Sequence, residues 1–380
     1  MDWRRRGLSC HRCPGDRKAF MSNRIQHTHQ GMNTDSPACS ATSFPAVEHT
    51  EARSTVSRKA RSWGLAIGVI VFTITAVTVD ALLGRGASDW WNDEHARTVL
   101  FQLHFPRAVA ALVSGGALAI AGLLIQTVTG NPLASPELLG ISPGAVGGVM
   151  VGTVAGLVNP SDPLSALCAA LLGALSGGAV GVVATISGGG DRAILAGLVL
   201  AAAATGISTI ILASQPGLTG MAMRWLAGST NALTWESVTP MFLWAVPWVI
   251  IAVAASGLLP LLSAGQLHST ILGVAPVRTR VILMGVACSL TAGAVALAGP
   301  LGFVGLAVPH IMRRLFGAAS PWLVIVTLIG GAGGMVACDA LAQLIGRVLS
   351  MGNNSIGVPV GAVAAIAGAI TLIGLLRRRA

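Results

Sequence analysis

From Gly64 onward the chain is a series of apolar runs broken only by short polar punctuation. The runs fall at about 64–84, 108–128, 141–158, 164–186, 193–213, 240–262, 281–299, 302–312, 321–345 and 358–376. Most reach the length of about 20 residues that an α-helix needs to cross a bilayer. No water in the bilayer satisfies a broken backbone, so helices are the natural solution for such runs. The eighth run is too short to span alone. It follows Gly299-Pro300-Leu301-Gly302 and is predicted to be half of a broken helix. The expected fold is an all-α polytopic membrane protein with about ten transmembrane helices.

Composition excludes the soluble alternative. Only 10% of residues are charged, against about 25% in soluble domains, and mean hydropathy is +0.74. The net charge of +10 sits largely in residues 1–61, where eleven Lys/Arg face five Asp/Glu. Basic residues at the ends of spans anchor cytoplasmic segments, so the charge implies lipid and not nucleic acid. With the N-terminus inside, ten crossings place Arg192, Arg278, Arg280, Arg313, Arg314 and Arg377 to Arg379 in the cytoplasm. The C-terminus is then cytoplasmic too. The expected location is the inner, cytoplasmic membrane.

Residues 1–60 are polar, lack a sustained apolar period and are predicted to form a disordered cytoplasmic extension, with Met21 and Met32 as alternative starts. Residues 61–380 form the membrane domain. Cys10 and Cys13 have metal-like spacing, but no second pair follows; no metal site is expected. Gly144/Gly148, Gly173/Gly177, Gly177/Gly181 and Gly330/Gly334 have the small-xxx-small spacing of close helix crossings.

No catalytic constellation stands out, so no enzyme activity is expected. Neither Lys18 nor Lys59 follows the glycine pattern of a phosphate loop, so any ATPase must be a separate chain. Asp339 is the one acid deep in a span; it reads as an interhelical partner, with Gln343 one turn on, or as a proton relay. Gln126 and the Asn131-Pro132 turn lie at the end of the second span. They line a passage or serve as plain connectors. His310 after Pro309 reads as a packing residue. The segment 262–280 pairs an amphipathic stretch, Leu267, Ile271 and Leu272, with Gly265 and Gly273. Its shape suits a docking element for a cytoplasmic partner.

Several ordered motifs resemble the FecCD-type permeases of ABC importers. They are Pro106-Arg107, the run Gly116 to Gly122 ending at Gln126, Asn131-Pro132-Leu133-Ala134-Ser135-Pro136, and Leu139-Gly140. Trp225, Gly228-Ser229, Trp235, Leu272-Gly273-Val274, Gly302-Phe303-Val304-Gly305-Leu306, Val308-Pro309-His310, Asp339 and Pro359-Val360-Gly361 follow. The resemblance covers residues 64–380. It implies a type II importer permease working as a homo- or heterodimer, with ATPase subunits inside and a substrate-binding protein outside. ATP binds to the partner ATPase, and this chain needs no cofactor of its own. The resemblance implies ferric siderophore as cargo, with cobalamin or haem as alternatives; an ion-coupled secondary transporter is the reading from another class. Gly265, Gln266, Ile271, Leu272 and Gly273 would couple to the ATPase. Arg107 and Arg347 would meet the binding protein. Gln126, Asn131, Pro132, Pro309, His310 and Asp339 would belong to the pathway and its frame. Departures from the family are His104 for an Arg, Gln343 for an Arg four residues after Asp339, and Gln266 for an acid.

Overall fold

The computed structural model describes residues 48–83, 94–159, 162–188, 190–215, 224–263, 276–317, 322–349 and 357–377. Contacts divide the chain into Met1–Glu51 and Ala52–Ala380; the fold below is that of the second unit. The helices are α1 (Glu48–Leu82), α2 (Glu94–Val99), α3 (Phe105–Thr129), α4 (Ile141–Val154), α5 (Pro163–Gly188) and α6 (Gly190–Ser214). They continue with α7 (Trp235–Ala254), α8 (Leu258–Ser263), α9 (Pro276–Ala298), α10 (Val304–Phe316), α11 (Leu323–Leu349) and α12 (Val360–Arg377).

Every predicted apolar run is a helix. Among the described residues, seven helical spans are long and apolar enough to cross a membrane: Trp63–Ala81, Arg97–Thr129, Pro163–Ser187, Arg192–Ser214, Trp235–Leu262, Val277–Ala298 and Leu323–Leu349. The other three runs give shorter helices, α4, α10 and α12. The first helix starts at Glu48, inside the stretch expected to be disordered. No Pro or Gly lies between Pro45 and Gly64, and once a helix is nucleated each further residue adds cheaply.

The second span also starts early. A π-turn at Leu100–His104 joins α2 to α3 without a break. Pro106 has no N–H to give the carbonyl of Gln102, and the widened turn absorbs that defect. The shift sends the Phe105 N–H to Leu100 O. The Phe101 carbonyl then accepts instead from Trp235 Nε1 at 2.9 Å.

The core is α3, enclosed by α9, α10 and α11, with nearly every residue from Ser114 to Thr129 buried. Antiparallel α3 and α11 approach closely because a Cβ on Gly115 or Gly331 would overlap the other helix. The same geometry joins α4 to α5, where Gly144 meets Gly173 and Gly148 meets Ala169 and Gly173. Gly334, by contrast, faces open space.

The break before α10 is real and its backbone is satisfied by other elements. The Ser229 N–H donates to Ala298 O at 2.8 Å, and the Gly361 N–H to Gly228 O at 3.1 Å. Gly228 and Gly299 both take positive φ, 74° and 75°. A side chain on Gly228 would strike the Pro300 carbonyl, and one on Gly299 the Arg224 carbonyl. Irregular backbone within the bundle thus stays covered by protein, as a bilayer demands.

Candidate functional site

Two polar clusters interrupt the apolar bundle, one at each end of α3. At its N-terminal end Arg107 donates to Asp339 through both Nε (2.7 Å to Oδ2) and Nη2 (2.9 Å to Oδ1). Asp339 is completely buried, and its Oδ1 also accepts from Thr230 Oγ1 at 2.6 Å. Gln343, one helical turn on, donates to Asp80 Oδ1 at 2.6 Å and more weakly to Asp339 Oδ2 at 3.4 Å. Four segments are tied together: α1, α3, the loop before α7, and α11. Two-point guanidinium–carboxylate contact is the strongest form of such a bond and fixes orientation.

Above this network opens a cavity of about 250 Å³ lined by His104, Arg107, Asn231, Gln343, Arg347 and Gly357, among others. Residues 339, 343 and 347 share one face of α11 through their four-residue spacing. Asp339 was expected to partner Gln343; its main partner is Arg107. Sequence spacing reveals contacts along one helix but not a contact 232 residues away. Arg107, expected at the outer docking face, turns its guanidinium into the bundle. Arg347 stands on the cavity rim.

At the other end of α3 the key residues are Gln126, Pro309 and Gly305. Pro309 inside α10 has no N–H for the Gly305 carbonyl. Gln126 Nε2 approaches that carbonyl at 3.5 Å and the next, Leu306 O, at 3.4 Å. The approach requires Gly122, where any Cβ would collide with the Gly305 carbonyl. In return Arg313 of α10 donates to Leu123 O (3.2 Å) and Thr127 Oγ1 (3.0 Å) of α3. Burial lowers the pKa of Arg313. Gln126 Oε1 is buried and has no partner. A cavity of about 140 Å³ lies here, lined by Gln126, Thr127, Gly130, Pro132, Leu259, Arg313 and Leu323. His310 is half-buried beside Pro309.

The Asn131-Pro132 turn starts the connection from α3 to α4. Gly130 closes α3 in the left-handed conformation, φ 66°. Asn131 Oδ1 accepts from the Leu133 N–H at 2.9 Å and its carbonyl from the Ala134 N–H at 3.1 Å, a side-chain turn of the kind Asn favours. The chain then dips into the bundle: Ala134, Ser135, Pro136, Leu139 and Gly140 are buried. Pro136 packs on Gly305, and Leu139 lies against Gly181 and Gly197. Gly197 is five residues inside the Arg192–Ser214 span, roughly 7 Å deep at 1.5 Å per residue.

Within this re-entrant loop sits Glu137, which the motif reading passed over. The residue is half-buried, and both carboxylate oxygens are buried and make no hydrogen bond. Its own amide and the Ser135 hydroxyl direct favourable dipoles toward it. Burial raises its pKa, and these two dipoles offset the effect only in part. Gly265, Gln266, Ile271, Leu272 and Gly273 lie outside the described residues, as do Cys10 and Cys13. Among the described residues no three His, Cys, Asp or Glu side chains gather.

A bundle of apolar helices, a broken helix whose backbone is capped by its neighbours, and paired polar clusters at depth define a polytopic membrane permease. Residues 62–378 match the FecCD transport family, and the chain belongs to that family. It is 34% identical to the ferric enterobactin transport system permease protein FepD of Escherichia coli over 74% of this chain and 83% of that one. It is 32% identical to the iron(3+)-hydroxamate import system permease protein FhuB of Salmonella typhimurium over 90% of this chain, which spans about half (49%) of FhuB. A solved structure described as an inward-facing ABC transporter of metal-chelate type superposes with a TM-score of 0.69 at 26% identity. It covers 83% of this chain and 99% of that one.

Proposed function

We propose that this chain is the permease subunit of an ATP-driven importer that carries a ferric siderophore across the cytoplasmic membrane. The family match over residues 62–378, with relatives whose own names specify ferric chelates, is the observation that carries this reading. The polar clusters favour it over an ion-coupled carrier. Asp339 is held by Arg107 and Thr230, and Asp80 by Gln343. Acids engaged in this way serve the frame better than a relay.

In this reading the Arg107 end of α3 faces outward and the Arg313 end faces the cytoplasm. The Arg347 guanidinium and His104 at the cavity rim meet the carboxylates of a substrate-binding protein, while Arg107 holds the frame beneath them. Residues 262–280, from the end of α8 into the start of α9, sit in a groove of the separate ATPase; Gly265, Gln266, Ile271, Leu272 and Gly273 make that contact. A second permease subunit completes the pathway. ATP is bound and hydrolysed by the partner, and this chain provides the path and its gates.

The test is radio-iron uptake by a deletion strain fed iron on several siderophores, with labelled cobalamin alongside. Loss for one iron chelate, restored by the intact gene, is expected. Loss of cobalamin uptake alone would overturn the cargo and keep the importer. Uptake that survives removal of every partner ATPase would overturn the importer itself. A Gly273→Trp variant should still allow ATP hydrolysis while uptake is lost; normal uptake would remove the coupling role from this loop.

A further inference from the structure

Buried polar groups in native proteins nearly always have partners, and an exception calls for an explanation. Glu137 is such an exception: both oxygens are enclosed and unbonded, in a loop that enters the bundle. The desolvation cost of an isolated carboxylate is large enough that the group takes up a proton instead. On α9 the charged residues are Arg278 and Arg280, in its first turns, and Arg280 Nε is buried with no hydrogen-bond partner. Helices α4 and α5 carry no charged residue, and α3 carries none beyond Arg107. On α6 the charged residues are Asp191 and Arg192, in its first turn; on α10 they are Arg313 and Arg314, with His310 one turn before. Arg313 is turned toward Leu123 and Thr127 of α3.

Glycines mark both ends of the loop. Left-handed Gly130 and Gly140, φ 66° and 75°, stand at its two ends. Between them Pro136 and Leu139 rest on glycines of α10, α5 and α6. The side chains of Asn131 and Ser135 bond locally, to Leu133 N and Leu138 N.

We propose that Glu137 is a proton-carrying residue of this loop, neutral in the packing seen here and ionised when the loop moves to expose it. The site takes a proton at the cytoplasmic mouth, so the inference rests on the importer reading for its orientation. The sign follows from burial. A carboxyl whose pKa is raised in the packed state stabilises that packing fully at low pH and loses the contribution as pH rises through the raised value. Acidity on the loop's side therefore holds the loop in, and rising pH favours its release.

Infrared spectroscopy of the full-length permease with 13C-labelled glutamate reads the proton directly, because the label separates Glu137 from Asp80. The carboxylic-acid C=O band of labelled glutamate should be present at neutral pH and lost in Glu137→Gln. No such band, or one that persists in the variant, overturns the proposal. The second arm is uptake by the assembled importer as a function of pH on the cytoplasmic side. Wild type should slow severalfold on acidification, and Glu137→Gln, a fixed mimic of the neutral acid, should show no slope. Parallel pH profiles in the two proteins overturn the link to motion. If wild type transports no chelate at all, the proposed function fails, while the band still decides the state of Glu137.

Discussion

The two ends of α3 solve the same problem in opposite ways. At the Arg107 end a guanidinium, two carboxylates, a hydroxyl and an amide bond to one another and hold four segments in one network, while Arg224 Nε and Trp225 Nε1, in the segment leading to Thr230, stay unpartnered. At the Arg313 end Gln126 keeps a bare oxygen, Arg313 has backbone and hydroxyl partners but no acid, and Glu137 has no partner at all. Fully satisfied networks rigidify, whereas unsatisfied groups are costly where they are and gain from moving. The contrast marks one end as an anchor and makes the other the candidate for rearrangement. In the orientation proposed above, that division suits a permease whose outer frame receives a binding protein and whose inner end is driven by an ATPase.

The sharpest way to break the comparison is to remove the anchor's central charge. Asp339→Ala leaves Arg107 largely buried and unpaired, a change that costs about 3–5 kcal/mol in other proteins. The variant should lose thermal stability in detergent and accumulate poorly in the membrane. Replacing both partners together, Arg107→Met with Asp339→Leu, should recover much of that stability, since an apolar pair strands no charge. A double variant no more stable than the single would mean that the pair does more than hold the helices.

Gln126→Leu probes the opposite end. It strips the donor from the Gly305 and Leu306 carbonyls, and Pro309 cannot replace it. The expected cost is about 1–3 kcal/mol, less than for Asp339→Ala because the hydrogen bonds lost are long and neutral. Measured melting shifts in that order support an anchor and a softer end; the reverse order removes the distinction. Arg347→Glu should leave stability nearly unchanged and reduce stimulation of ATP hydrolysis by the binding protein. Unchanged stimulation would move docking elsewhere.

Much of this was legible in the sequence because the physics was local. Apolar run length gave every membrane helix, and Gly-Pro-Leu-Gly gave the break before α10. The Asn131-Pro132 turn and the Gly144/Gly148 and Gly173/Gly177 crossings follow from short spacings. Contacts made across the fold were not legible. Nothing near Arg107 in sequence announces Asp339, and nothing near Pro309 announces that Gln126 would cover the carbonyl it leaves bare. Glu137 escaped for a different reason. An acid in a polar-looking loop reads as exposed until the loop is seen to turn inward.

The smallest effect should come from Asp80, and it refines the account of the anchor. The network holds two carboxylates, Asp80 and Asp339, against one guanidinium. Arg107 meets Asp339 with two bonds, whereas Asp80 meets only the neutral amide of Gln343. With one full charge too many for its cation, the network is balanced when Asp80 carries a proton. Asp80→Asn keeps the shape and an oxygen acceptor for Gln343 Nε2, so it should change stability by roughly 1 kcal/mol or less. Gln343→Arg tests the same balance from the other side. It puts a second cation between the two acids, and it should stabilise wild type more than Asp80→Asn. Equal gains in both backgrounds, measured as melting temperatures of the four proteins, would show that the two side chains do not sense each other's charge.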